Sequence, residues 1–134
     1  MAKLVQAATI LEVKDIKLSE AFYRQRLGFR PGVFFGEPPT FCIISRDNVA
    51  LFLDLARTEH PAPVNQHWAV YLYVDDVDAM AQELLARGVT LEREPEDQPY
   101  GCRDFDIRDP DGHLIGIGQN ERSAAGQLTL PYPD

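Results

Sequence analysis

Leu11-Glu12-Val13-Lys14-Asp15-Ile16 and Leu72-Tyr73-Val74-Asp75-Asp76-Val77 are two readings of one pattern, a strand that ends at an Asp and passes into a helix. Val13 aligns with Val74 and Asp15 with Asp76, each pair 61 positions apart. Self-similarity at a fixed spacing decides architecture, because each copy folds as the same supersecondary unit. An Asp at a helix start accepts hydrogen bonds from the first free backbone N–H groups and offsets the helix dipole. Asp75-Asp76 therefore reads as a cap rather than as a catalytic acid/base pair.

Outward from these windows, residues 16–27 bring Ile16, Phe22, Tyr23 and Leu27 near helical spacing, and Gly28 follows where a left-handed stop is wanted. Residues 77–87 bring Val77, Met80, Ala81, Leu84 and Leu85 onto one face and stop at Gly88. Three strand candidates follow each helix: 33–35, 41–45 and 49–55 in the first half, then 90–94, 103–108 and 113–119 in the second. Arg46-Asp47-Asn48 and Asp109-Pro110-Asp111-Gly112 supply the turns before the final strands. The expected fold class is α+β, two tandem βαβββ modules at about 7–56 and 67–120 within a single domain. Residues 57–66, with Pro61 and Pro63, read as the linker, and 121–134 as a C-terminal tail. In that tail 127–134, with Pro131 and Pro133, suits an extended arm.

At 134 residues, with 45% hydrophobic and 25% charged side chains, the chain has the balance of an ordinary globular domain. No run approaches the roughly 20 apolar residues that span a bilayer, and the first ten residues lack the continuous apolar stretch of a signal peptide. A cytoplasmic protein without membrane contact is expected. The net charge of −8 repels phosphate backbones, so nucleic acid is not an expected partner; the same field attracts a cationic ligand. Cys42 and Cys102 stand far apart, with no C-x-x-C motif, and read as small hydrophobes. No nucleophile elbow, zinc-protease motif, Walker loop or dinucleotide fingerprint is present, since Gly116-Ile117-Gly118 is a strand fragment without the phosphate-cradling turn.

Val13-Lys14-Asp15, Phe22-Tyr23, Arg26-Leu27-Gly28-Phe29, Val74-Asp75-Asp76-Val77-Asp78-Ala79 and Asp109-Pro110-Asp111-Gly112-His113, in that order, resemble the glyoxalase/bleomycin resistance protein/dioxygenase (vicinal oxygen chelate) superfamily over about residues 7–120. The resemblance is strongest to its metal-free, bleomycin-resistance-like branch. It implies curved mixed sheets around a cleft, helices on the outer side, and a homodimer. Alternation agrees: Leu11 and Val13 face a helix while Ala8, Ile10 and Glu12 face the cleft, and Val70, Leu72 and Val74 oppose Ala69, Tyr71 and Tyr73.

Enzymes of the superfamily hold one divalent ion with His or Glu on cleft-facing strand positions, donors suited to a Lewis acid with open sites. The corresponding positions here are Ala8, Leu51, Ala69 and Gly116, none able to ligate, so no metal or other cofactor is expected. His67 lies two residues from the third position and is the candidate for a shifted ligand; Asp54 is of opposite parity to Leu51. His60 sits in the linker and His113 follows the Asp-Pro-Asp-Gly turn.

Without an ion, the cleft becomes an apolar, ring-lined receptacle for a small planar or cationic molecule, bound by sequestration as in the antibiotic-resistance relatives. The candidate ligand-binding residues are Phe35, Phe41, Leu51, Leu53, Trp68, Tyr71, Tyr73, Tyr100, Arg103 and Phe105, with no catalytic residue. Two alternatives remain open: an enzyme using His67 with a metal, or Arg103, Tyr71 or Asp104 without one, and an assembly module whose cleft is filled.

Overall fold

The structure is a computed structural model, and residues 1–59 and 63–129 are described. His60, Pro61, Pro131 and Pro133, and with them most of the expected C-terminal arm, lie outside the described residues. The chain divides into two compact units, Met1–Pro63 and Val64–Asp134. Among the described residues no helix is long and apolar enough to cross a membrane.

The first unit holds β1 (Thr9–Val13), α1 (Ile16–Arg26), β2 (Val33–Phe35), β3 (Phe41–Arg46) and β4 (Val49–Leu55). The second holds β5 (Trp68–Tyr73), α2 (Val77–Ala86), β6 (Arg93–Asp97), β7 (Arg103–Arg108), β8 (Leu114–Gln119) and a short α3 (Glu121–Ala124). The strand orders are β1-β4-β3-β2 and β5-β8-β7-β6. In each, the first strand runs parallel to the last and the other pairings are antiparallel. Two mixed sheets with the same winding are what a doubled βαβββ unit requires, and the α+β class stands.

The repeated Asp residues do the expected capping. Asp15 accepts from Leu18 N–H and Asp76 from Ala79 N–H, each at 3.0 Å. Gly28 and Gly88 take φ of +71° and +85°, the left-handed region where a side chain is disfavoured, and close the two helices. In the tail, Asn120 and Ser123 form a reciprocal capping box that starts α3, so the chain leaves β8 as a helical turn.

One face of each sheet packs against its helix. Leu11, Val13, Leu51, Leu53, Cys42 and Ile44 are buried with Ile16 and Tyr23 of α1. Phe105, Ile107, Ile115 and Ile117 are buried with Val77, Ala81 and Leu84 of α2. Inside the first unit, the buried Glu20 carboxylate accepts from Arg24 Nε at 3.0 Å and from Gly32 N–H at 2.9 Å, pinning the segment ahead of β2 to α1. A Cβ at Gly32 would press on Cys42 Sγ and Glu20 Cγ, so the backbone approaches as closely as only glycine permits. Burial, then the Glu20 charge, pushes the Cys42 thiol up to about 11, which keeps it unreactive.

Two expectations are corrected here. The strand expected at 90–94 lies at Arg93–Asp97. Val89 instead closes α2 through its N–H to Leu84 O, and β6, at the sheet edge, tolerates Pro95 inside a register shift. Leu51 and Leu53, expected on the cleft floor, pair with Thr9 and Leu11 and turn with Leu11 toward α1. Asp54, read as opposite in parity to a cleft-facing Leu51, is for that reason the register partner of Glu12 on the open face. Leu53→Ala should therefore behave as a core truncation and cost about 3 kcal/mol, read as a drop in urea midpoint.

Candidate functional site

The open face of the second sheet is built by alternation. Phe105 and Ile107 turn toward α2, so Asp104 and Asp106 of β7 turn the other way, beside their register partners Gly118 and Gly116. Tyr71 and Tyr73 of β5 pair with the same two glycines from the other side. A register shift between Trp68 and Val70 brings Trp68 onto this face as well.

The glycines leave room for rings to lie across the sheet. A Cβ at Gly116 would sit 2.7 Å from both Trp68 Nε1 and Tyr71 Cδ2, and one at Gly118 would run into the Tyr71 hydroxyl. Trp68 packs edge-on against Tyr71 at 4.7 Å and against Tyr100 at 6.2 Å, and Tyr71 against Tyr73 at 5.0 Å. Lying over β8, the rings reach the carboxylates of β7: Tyr71 Oη donates to Asp104 Oδ2 at 2.8 Å, and Trp68 Nε1 to Asp106 Oδ1 at 2.9 Å.

Asp104 is completely buried and accepts from three side chains, Tyr71, Tyr100 and Arg93. Burial alone would raise its carboxyl, but the hydrogen bonds from Tyr100, Arg93 and Tyr71 outweigh that and hold it below the ordinary range. Burial and the bond to Asp104 push both phenols, Tyr71 and Tyr100, up. Arg93 of β6 also reaches Asp106 and Glu96; burial alone would lower it, but its bonds to Asp104 and Asp106 raise it. Against this network opens a cavity of about 300 Å³, lined by His67, Trp68, Arg93, Glu96, Gln98, Tyr100, Asp106 and Leu114.

The ten expected ligand-binding residues fall into three groups. Trp68, Tyr71, Tyr73 and Tyr100 share the open face of the second sheet. Phe35 and Phe41 share the open face of the first, their rings 6.1 Å apart and Phe41 a further 5.3 Å from Phe52. Leu51, Leu53 and Phe105 are core residues. Arg103 is corrected with them: it has the parity of Phe105 and donates to Asp78 on α2 at 3.1 Å and to Asp97 at 3.4 Å, away from the cavity. The sequence reading passed over Arg93, Glu96, Gln98, Asp106 and Leu114. For Asp106 the signal was present, because alternation with a buried Phe105 puts both aspartates on one face; Arg93 was hidden by the displaced β6.

The four positions that the resemblance gives to metal ligands do not fit a metal. Ala8 and Ala69 offer methyl groups, Leu51 is buried under α1, and Gly116 lies beneath Trp68 and Tyr71. His113, the other described histidine named as a candidate, is nearly buried, with its backbone N–H on Asp109 Oδ1 at 2.8 Å in the Asp-Pro-Asp-Gly turn.

Known proteins resemble this arrangement. The family described as the Glyoxalase/Bleomycin resistance protein/Dioxygenase superfamily matches residues 4–117. The anthracycline biosynthesis protein DauV of Streptomyces sp. (strain C5) is 35% identical over 104 residues, 76% of this chain but 36% of DauV, so the chain spans about a third of that relative's length. Among solved structures, the bleomycin-binding protein of Streptomyces verticillus, in complex with copper(II)-bleomycin, superposes with a TM-score of 0.74 at 25% identity, covering 90% of this chain and 100% of that one. A lactoylglutathione lyase from Agrobacterium tumefaciens shares the fold with a TM-score of 0.68 at 24% identity over 88% and 95% of the two chains.

The Asp104 network sets an acid dependence. A carboxyl lowered in the folded state stabilises fully above its unfolded value of 3.8 and loses that contribution as pH falls from there through the folded value. Asp104→Asn, which leaves Arg93 without its buried partner, should cost about 3 kcal/mol at neutral pH. It should also flatten the fall in melting temperature between about pH 5 and pH 2, followed by circular dichroism.

Proposed function

The chain belongs to the Glyoxalase/Bleomycin resistance protein/Dioxygenase superfamily, and from that premise we propose that it binds a small planar organic molecule on the open face of its second sheet and acts by holding it, without a reaction. The observation that carries this reading is the cavity of about 300 Å³ whose wall is the indole of Trp68 and the phenol of Tyr100. Ring faces stack on planar ligands, each contact contributing about 1 kcal/mol beyond the area it buries. Trp68 and Tyr100 are respectively 37% and 54% exposed, so both rings remain accessible to a ligand.

The chemistry of the polar groups favours binding over catalysis. A general base works best with a pKa near the operating pH, yet Asp104 is lowered, fully buried and already holds three donors. Tyr71 and Tyr100 are raised and donate to that same carboxylate, which suits neither an acid nor a nucleophile near neutrality. Arg103 is engaged with Asp78 and Asp97. One relative binds bleomycin and another takes part in anthracycline biosynthesis, which favours an antibiotic-like ligand. Sequestration of such a ligand is the corresponding role.

The first unit supports pairing of two chains. Its open sheet face leaves Ile10 62%, Val33 57% and Phe35 47% exposed, an apolar surface of the kind that marks an interaction site. A homodimer is the proposed state, and sedimentation of the purified protein as a monomer at micromolar concentration would overturn it.

Trp68 is the sole tryptophan and reports on its own site. Titration with bleomycin, an anthracycline and other planar antibiotics should quench it saturably with one of them. Tyr100→Ala should weaken that binding by about 1 kcal/mol and, by taking one donor from the buried Asp104, also lower the melting temperature, so its binding is read well below its melting point. A flat response across the panel, or turnover of a ligand by the purified protein, overturns the reading.

A further inference from the structure

Among the described residues, Arg93 is the one cation in the hydrogen-bonded charged network beside the cavity, and a guanidinium at a ligand site usually signals an anionic substrate. Its hydrogen bonds say otherwise. A guanidinium has five N–H donors, and Arg93 makes five bonds within the protein. Nε reaches Asp106 Oδ2 at 3.3 Å. Nη1 reaches Glu96 Oε1 at 3.3 Å and the Asp104 carbonyl at 2.9 Å. Nη2 reaches Asp104 Oδ1, and Asp106 Oδ1 at 3.3 Å. An anion entering the cavity would have to take a donor away from one of these carboxylates and then face the charge it uncovered.

The acceptors are not saturated in the same way. Asp104 is buried and surrounded, so it is closed to a ligand. Asp106 lines the cavity; its Oδ1 takes Trp68 and Arg93, but its Oδ2 takes only Arg93 among the described residues. Glu96 is exposed, its Oε1 takes Arg93 and Gln98, and its Oε2 takes no donor among the described residues. Three carboxylates thus share one guanidinium, and the two with lone pairs left over flank the same ring-walled cavity.

We infer that this cavity selects organic cations, with Asp106 and Glu96 meeting the ligand's charge while Trp68 and Tyr100 cover its ring. The class is a planar aromatic carrying a protonated amine or amidine whose N–H groups reach Asp106 Oδ2 and Glu96 Oε2. Arg93 holds the carboxylates in place and repels anions only by being fully occupied. This deepens the binding reading above and rests on it.

Three flat tricycles of similar size and different charge separate the two claims: proflavine (cationic), acridone (neutral) and anthraquinone-2-sulfonate (anionic), each titrated calorimetrically and by Trp68 fluorescence. Proflavine should bind at least roughly tenfold more tightly than acridone, a step of about 1.4 kcal/mol, and should weaken with added salt; the sulfonate should not bind. Asp106→Asn should abolish the preference for proflavine over acridone. Glu96→Gln, at an exposed side chain that folding does not need, should reduce the preference in the same direction, so the test survives if the Asp106 variant does not fold. Equal binding of proflavine and acridone, tight binding of the sulfonate, or an undiminished preference in the folded variants overturns the charge inference and leaves small-molecule binding standing. Failure of all three compounds to bind sinks both.

Discussion

A carboxylate with no exposed surface, on the face of its sheet turned away from α2, is the constraint around which the second unit is arranged. Asp104 can be buried there only because Arg93 neutralises it and two phenols complete its hydrogen bonding. An uncompensated charge in that position would cost several kcal/mol. Each compensating group arrives from a different place: Tyr71 from β5, Arg93 from β6 and Tyr100 from the turn that leads into β7. One side chain therefore ties three segments of the sheet to a common point. That fixation sets the Trp68 and Tyr100 rings edge-on to each other along one wall of the cavity.

The duplication makes the divergence of the two halves legible. Strand order, helix caps and core positions correspond between the units, because these are demands of the fold itself. The open faces do not correspond. On the first sheet Phe35, Phe41 and Phe52 form a row of hydrocarbon rings with Glu12 and Asp54 at one side. On the second, tyrosines and a tryptophan bond to aspartates across a strip of glycine. Phenyl rings have no polar edge to satisfy, so the first face suits burial against another apolar surface; phenol and indole have one, and the second face is correspondingly a fixed polar network.

Sequence periodicity read the fold well where a pattern repeated and the site poorly where it broke. Capping Asp15 and Asp76, terminal Gly28 and Gly88, and the turning of Leu11 and Val13 toward a helix all follow from local rules that tertiary context did not override. Leu51 and Leu53 were misassigned because an apolar strand that is partly covered on both faces carries no parity of its own; only pairing with Leu11 fixes it. Trp68 reaches the open face through a bulge, an irregularity that strict alternation does not contain. Arg93 was lost with the register of an edge strand interrupted by Pro95. The charged hub was invisible for a different reason, since Asp104, Tyr71, Arg93 and Tyr100 meet through four separate registers and no short window holds them all.

Gly116 joins these observations. It occupies a position that the resemblance gives to a metal ligand, and the space left by its missing side chain is filled by rings: Trp68 and Tyr71 rest on the bare backbone, within 2.7 Å of where a Cβ would be. A histidine or glutamate at 116 would displace both rings before it met any ion, and with them would go the hydrogen bonds that hold Asp104 and Asp106. A chelating face and a ring-walled face are thus alternative uses of one backbone, since each needs the space the other fills. A donor placed at 116 alone would dismantle the aromatic wall without assembling a metal centre.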